Sequence, residues 1–197
     1  MQLSNTENRY GLVTIALHWV LAGLFLAQMG VGIAMTNLPL TDPMTFPLYQ
    51  SHKSIGALIF VLATSRLVWR FISAPPPLPA AMPKWQVRAA HLTHYGLYFA
   101  LLAMPLLGWV IVSASPYGIP TLLFGLIDLP HLGFVVASPA KAEIGAAASL
   151  AHFLLAWAAG LLLLGHAAAA LAHHFWLKDD ILTRMWPTRS HFRRGNK

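Results

Sequence analysis

Four stretches of the chain are apolar almost without interruption, roughly Leu12 to Met35, Leu48 to Ile72, Ala89 to Val112 and Ile144 to Leu177. Each is close to the ~20 residues that an α-helix needs to cross the hydrocarbon of a bilayer. None alternates polar with apolar positions as the strands of a membrane barrel do, so the pattern predicts helices. The fourth is longer than one crossing requires and is expected to tilt or to project beyond the membrane. Breakers separate the stretches: Asn37-Leu38-Pro39, the run Ala74-Pro75-Pro76-Pro77-Leu78-Pro79, and a long third connection holding Pro116, Pro120, Pro130 and Pro139. The expected architecture is all-α, one membrane-embedded four-helix bundle over residues 1–197 with a basic tail over 178–197. The first span is too long for the apolar region of a secretory signal, and no small-residue cleavage site follows it, so it reads as a retained helix.

Composition agrees. Of 197 residues, 57% are hydrophobic and 10% charged, with a mean hydropathy of +0.60. A soluble domain carries about 25% charged residues, so these are too few to coat a water-facing surface. The absence of cysteine excludes disulfides, thiolate zinc sites, iron–sulfur clusters and haem attached through C-x-x-C-H. A net charge of +7 raises nucleic acid as a partner, but the distribution of the charges argues otherwise. Arg9, Arg70, Lys84, Arg88, Lys178, Arg184, Arg189, Arg193, Arg194 and Lys197 flank the spans on one side; Lys53 and Lys141 lie on the other, and Arg66 sits inside the end of the second span. The positive-inside rule then puts both termini and the Pro-rich connection in the cytoplasm. The basic tail is a topology signal and a contact for anionic lipid, and nucleic acid is excluded as a partner.

His18, His52, His152 and His166 fall within apolar helix, where a polar side chain marks a functional site unless it is merely hydrogen-bonded across helices. Counted from the span ends, His18 and His166 lie toward the cytoplasmic side, and His52 and His152 toward the outer side. His152 and His166 are 14 residues apart, which at about 100° and ~1.5 Å per residue puts them within about 40° of one face and ~21 Å apart in height. One ion with metal–nitrogen bonds of ~2.0 Å cannot use both. Two flat cofactors stacked along the membrane normal can, and haem b fits: its iron takes axial imidazoles, it needs no cysteine, and it asks for small side chains where backbone approaches the ring. Gly56, Ala148, Ala156, Gly165 and Ala167 to Ala170 lie within about one turn of these histidines, although small residues also serve plain helix packing. Arg66 is placed either to pair with a haem propionate or to snorkel to the headgroups. His91 and His94 suit interfacial snorkelling or a propionate, and His173 and His174 suit a propionate, a quinone carbonyl or water. His131 and His191 receive no role. Trp69, Trp85 and Trp176 read as interfacial anchors.

Leu17-His18-Trp19, His52, Ala90-His91-Leu92-Thr93-His94-Tyr95-Gly96-Leu97-Tyr98, and above all Gly165-His166-Ala167-Ala168-Ala169-Ala170-Leu171-Ala172-His173-His174 with Lys178-Asp179 and Arg184-Met185-Trp186-Pro187 resemble the bacterial cytochrome b-561 family from about Arg9 to Pro187. The resemblance implies four transmembrane helices in the bacterial inner membrane and two b-type haems ligated by His18, His52, His152 and His166. Members similar to this chain include a superoxide oxidase, which takes an electron from superoxide at the periplasmic face and passes it to ubiquinone; His173 would then lie near the quinone. Lys53 and Lys141 on the outer side would steer an anion there, against Asp42, Asp128 and Glu143 on the same side. The leading expectation is thus a redox enzyme. One alternative is a cytochrome b subunit passing electrons between a partner dehydrogenase or hydrogenase and the quinone pool. The other is a haem-free membrane protein whose histidines bind metal ions.

Overall fold

The computed structural model describes residues 2–80 and 82–186. Its elements are α1 (Leu12–Asn37), α2 (Thr45–Ile72), α3 (Lys84–Ala114), β1 (Thr121–Leu123), β2 (Ile127–Leu129), α4 (Gly133–Val136), α5 (Lys141–Ala172), a π-helical turn (His173–Leu177) and α6 (Ile181–Arg184). Four helices are long and apolar enough to cross a membrane, the last counted through its π turn to Leu177. The basic tail from residue 187 onward, with His191, lies outside the described residues.

The helices outrun the expected spans because polar residues satisfy their ends. Thr36 and Asn37 donate back to the Gly32 and Ile33 carbonyls, which carries α1 past Met35. The Thr45 hydroxyl donates to Pro39 O, and Asp42 accepts from Met44 N, so α2 starts ahead of Leu48. Pro83, with its fixed φ, precedes α3 and lets it begin at Lys84, five residues before Ala89. α5 opens with Glu143 in its first turn, where a carboxylate favours the helix dipole.

One part of the all-α expectation is corrected. The third connection is not a plain Pro-broken loop: β1 and β2 pair antiparallel, Thr121 with Leu129 and Leu123 with Ile127. The turn between them has positive φ at Phe124 (53°) and Gly125 (72°), the requirement of the mirror-image hairpin turns. Asn or Asp is the ordinary first residue there; Phe124 is held in place by its backbone N–H, which donates to Ser54 Oγ on α2 at 2.9 Å.

α1 packs along α2, α2 along α3, and α3 along α5. Two clusters form the core: Leu21, Ile59 and Ala63, and Phe25, Ala100 and Ala159, with Leu24, Met29, Leu101 and Leu155 around them. Both described chain ends gather at one end of the bundle. Asn5 is the knot there. Its Oδ1 accepts from Gly11 N–H and Thr14 Oγ1, and its Nδ2 donates to the Ser73 and Ala74 carbonyls, so the start of α1 is tied to the end of α2. Only glycine fits at position 11, where a Cβ would fall 2.3 Å from Leu3 O. Trp19 Nε1 donates to Met185 O, and Arg184 pairs with Asp180 and donates to Pro77 O, closing the same end. The opposite end carries the hairpin.

Candidate functional site

The four helices hold histidines at two heights. At the terminal end the rings of His18 on α1 and His166 on α5 have centroids 6.1 Å apart, at an interplanar angle of 66°. At the hairpin end, His52 on α2 and His152 on α5 are 6.2 Å apart, at 58°. The core clusters lie between the two levels, so each pair is a separate site. These are the pairs that depth along the spans brings together.

The separation is informative. Two imidazoles ligating one iron from opposite sides, with metal–nitrogen bonds of about 2.0 Å and ring radii of about 1.1 Å, have centroids about 6.2 Å apart. Edge-to-face packing also spans about 4.5–7 Å, so distance alone is not the whole test. A second observation bears on it: Nδ1 of His18 and of His52 is buried with no hydrogen-bond partner, so these rings are not held by a plain cross-helix hydrogen bond at that nitrogen. A third is the bareness of the backbone beside the rings. A Cβ at Gly32 would stand 3.3 Å from His52 Cε1, and one at Gly108 would stand 3.8 Å from His152 Cε1. Paired imidazoles at this separation fit a b-type haem at each level, and at the hairpin end glycines also keep the backbone beside both rings bare. Among the described residues no group of three or more His, Cys, Asp or Glu is arranged to hold a bare metal ion.

The glycines beside the rings are not those expected from sequence. Gly56, one turn from His52, makes room for Gln28, whose Nε2 lies 3.3 Å from the position a Cβ would take and donates to His52 O. Gly165 has nothing within 4 Å. The space beside the imidazoles comes from Gly32 and Gly108 on other helices.

His94 is nearer the site than its sequence position suggests. Its ring lies 5.3 Å from that of His166, whereas His91 is exposed and stacks on Tyr95. The signal was present: His94 and Gly108 are 14 residues apart on α3, the spacing of His152 and His166 on its antiparallel neighbour, and each meets one of them. Arg66 lies over the Tyr98 ring at 5.5 Å, and among the described residues no carboxylate forms an ion pair with it. Trp69 is not a plain anchor: its Nε1 donates to Thr14 Oγ1 and ties α2 to α1. Trp85 and Trp176 are exposed, as anchors should be. His173 Nδ1 meets Asp179 Oδ2 at 2.5 Å across the π turn, which Lys178 ends in the left-handed conformation. At the hairpin end the Lys53 ammonium donates to Pro120 O. His131, given no role from sequence, has a buried Nε2 without a partner.

The family described as prokaryotic cytochrome b561 matches residues 9–188. Cytochrome b561 homolog 2 of Escherichia coli K12 is 37% identical over 94% of this chain and 95% of its own length. Cytochrome b561 homolog 1 of the same organism is 32% identical over 92% and 99%, and the probable superoxide oxidase CybB of Yersinia pestis is 29% identical over 93% and 98%. The chain therefore belongs to the prokaryotic cytochrome b561 family of membrane electron-transfer proteins, which bind b-type haem.

Proposed function

We propose that this chain binds two b-type haems, one between His18 and His166 and one between His52 and His152, and uses them to move single electrons from superoxide at the periplasmic face of the inner membrane to ubiquinone. The observation that carries the reading is the pair of ring separations, 6.1 and 6.2 Å at two heights of one bundle. The likeness to a protein named as a probable superoxide oxidase supports the choice of donor. The bound haem iron supplies reversible one-electron oxidation and reduction.

The protein's own groups do the rest. The four imidazoles fix the level and tilt of each site. The apolar layer of Leu21, Phe25, Ile59, Ala63, Ala100 and Ala159 separates the levels and keeps water out. Arg66, without a carboxylate partner among the described residues and seated on Tyr98, offers its guanidinium to a propionate at the terminal end. His173, oriented by Asp179, offers Nε2 near the same end, where ubiquinone would take up protons. The cytoplasmic excess of Lys and Arg puts that end inside and the hairpin end, with Lys53 and Lys141, in the periplasm. The reaction balances: two superoxide radicals become two molecules of oxygen, and their two electrons with two protons convert ubiquinone to ubiquinol.

The test is direct. The purified chain should show sharp reduced α-bands with dithionite and two haems per chain by pyridine haemochrome. It should consume superoxide only in the presence of a ubiquinone, with two radicals lost per quinol formed. A colourless protein would overturn the haem assignment; superoxide loss by ordinary dismutation, indifferent to quinone, would overturn the donor assignment alone.

A further inference from the structure

The segment from Tyr117 to Phe134 has the wrong composition for a loop in water. Asp128 is its only charged residue, and Thr121 to Ile127 reads Thr-Leu-Leu-Phe-Gly-Leu-Ile. At the tip Leu126 is 86% exposed, and Phe124 and Ile127 are exposed beside it. A consecutive run of exposed apolar residues needs an apolar partner. Phe124 sits where a turn ordinarily places Asn, Asp or Gly, so its aromatic ring is not there to shape the turn.

The level of the hairpin along α2 identifies the partner. Gln50 and Lys53 both donate to Pro120 O, and Ser54 Oγ accepts from Phe124 N–H. These three residues are one face of one helical turn, so the hairpin is strapped flat against α2. Ser54 is nine residues past Thr45 in a helix of 28 residues. For an upright helix centred in ~30 Å of hydrocarbon, that is about 7 Å below the boundary. The Lys53 ammonium has a backbone carbonyl of the hairpin, Pro120 O, as its acceptor at this level. Backbone that meets lipid must have its polar groups satisfied within the protein, and the N–H groups of the tip meet this condition. Phe124 N–H donates to Ser54 Oγ, Gly125 N–H to Leu122 O, and Leu126 N–H to Leu123 O.

We propose that the β1–β2 hairpin is a membrane-inserted element, with Phe124, Leu126 and Ile127 seated among the acyl chains of the leaflet at the His52–His152 end. It anchors that end of the bundle and covers α2 beside His52. The cavity of about 270 Å³ between it and α2, lined by Gln50, Ser51, Ser54, Ile55, Leu122 and Phe124 among others, opens to lipid. The inference needs only the membrane reading of the four helices and is independent of the redox partners.

Because the chain has no cysteine, single cysteines can be labelled uniquely. Leu126→Cys in the full chain, labelled with bimane and placed in nanodiscs of phosphatidylcholine and phosphatidylglycerol, is compared with Leu161→Cys on the exposed face of α5 and Thr41→Cys in the α1–α2 connection. Lipid brominated high on the acyl chain should quench Leu126→Cys at least as strongly as the deeper Leu161→Cys and at least about twice as strongly as Thr41→Cys, while aqueous iodide quenches only Thr41→Cys. Iodide quenching of Leu126→Cys without bromolipid quenching would place the tip in water and overturn the proposal. Shielding from both quenchers would mean that protein covers the tip, and would overturn it equally. Ile127→Cys repeats the measurement if Leu126→Cys does not elute as the monodisperse wild type does.

Discussion

A glycine series tests whether the backbone beside the imidazoles is kept bare for a reason. Gly23, Gly32 and Gly108 all sit in helices, and each can be replaced by alanine. In an open helical position the exchange gains about 1 kcal/mol. Gly23 has nothing within 4 Å of its added Cβ, so Gly23→Ala should show the full gain. At Gly108 the Cβ makes an ordinary 3.8 Å contact with His152 Cε1, and the gain should survive. At Gly32 the Cβ arrives 3.3 Å from His52 Cε1, so the imidazole must yield by a few tenths of an ångström. Overpacking of this kind costs about 1–3 kcal/mol, which makes Gly32→Ala neutral to about 2 kcal/mol destabilising. For a chain of this length about 1 kcal/mol corresponds to roughly 2–4 °C in Tm, well within reach of a thermal melt in detergent. Displacement of His52 should also shift the midpoint potential and low-spin resonance of one haem, leaving the other as in the wild type. If Gly32→Ala stabilises as much as Gly23→Ala and leaves both haems unmoved, the close approach to His52 has no bearing on a ligand.

Substitution by alanine at His166 should abolish the haem at the terminal end, and at His52 the one at the hairpin end; pyridine haemochrome should fall from two haems per chain to one in each, and two retained haems in either variant would reject that ligand. Asn5→Ala removes four hydrogen bonds worth about 1 kcal/mol each, for a loss of about 2–4 kcal/mol, and Asn5→Asp, which keeps the two acceptances from Gly11 and Thr14 but turns a carboxylate oxygen against the Ser73 and Ala74 carbonyls, should lose no less at neutral pH in a denaturation series. Tyr10, just ahead of α1, has its phenol pushed above the usual 10.0 by burial, against the pull of Arg70, Arg66 and Arg184. The folded state therefore holds its proton longer than the unfolded one, so its contribution to stability is complete below pH 10 and is lost as pH rises through the raised value; Tyr10→Phe should flatten that alkaline slope in melts recorded across the range. Arg66→Gln should lower the potential of the haem at the terminal end alone, since it removes a nearby positive charge that favours the electron-rich state; an equal shift of both haems in a redox titration would count against the propionate contact.

Much of the arrangement was legible because α-helical geometry is rigid. Fourteen residues on one helix fix two heights, and depth counted from the span ends then pairs His18 with His166 and His52 with His152. What escaped did so where a side chain's partner lies on a distant part of the chain. Counting the third span from Ala89 leaves His94 open between interfacial snorkelling and a propionate contact; α3 starts at Lys84, so His94 lies about 15 Å into the helix instead of about 7 Å, beside His166. Trp69 looked like an anchor because nothing in its own helix announces Thr14 as the acceptor of its indole N–H. The hairpin was hidden by Phe124, a poor turn former on local grounds that is stabilised by Ser54, 70 residues away.

The layer between the two sites bears on what can cross the bundle. Ala63 and Ala159 are fully buried, Leu21 is 2% exposed, and their neighbours Phe25, Ile59, Ala100, Leu101 and Leu155 are all apolar. A proton or metal ion passing from one histidine level to the other would need water or a chain of polar groups, and the side chains packing these clusters supply at most the weak thioether acceptor of Met29. A haem-free transporter would place polar residues through the middle of the bundle; here the histidines stand at two levels with apolar packing between them. An electron needs no such path, because it passes between redox centres through packed hydrocarbon. Ala159→Asp, which sets an unpaired carboxylate at a fully buried position of this layer, should therefore lower Tm sharply in a detergent melt, and an unchanged Tm would mean that the layer admits water.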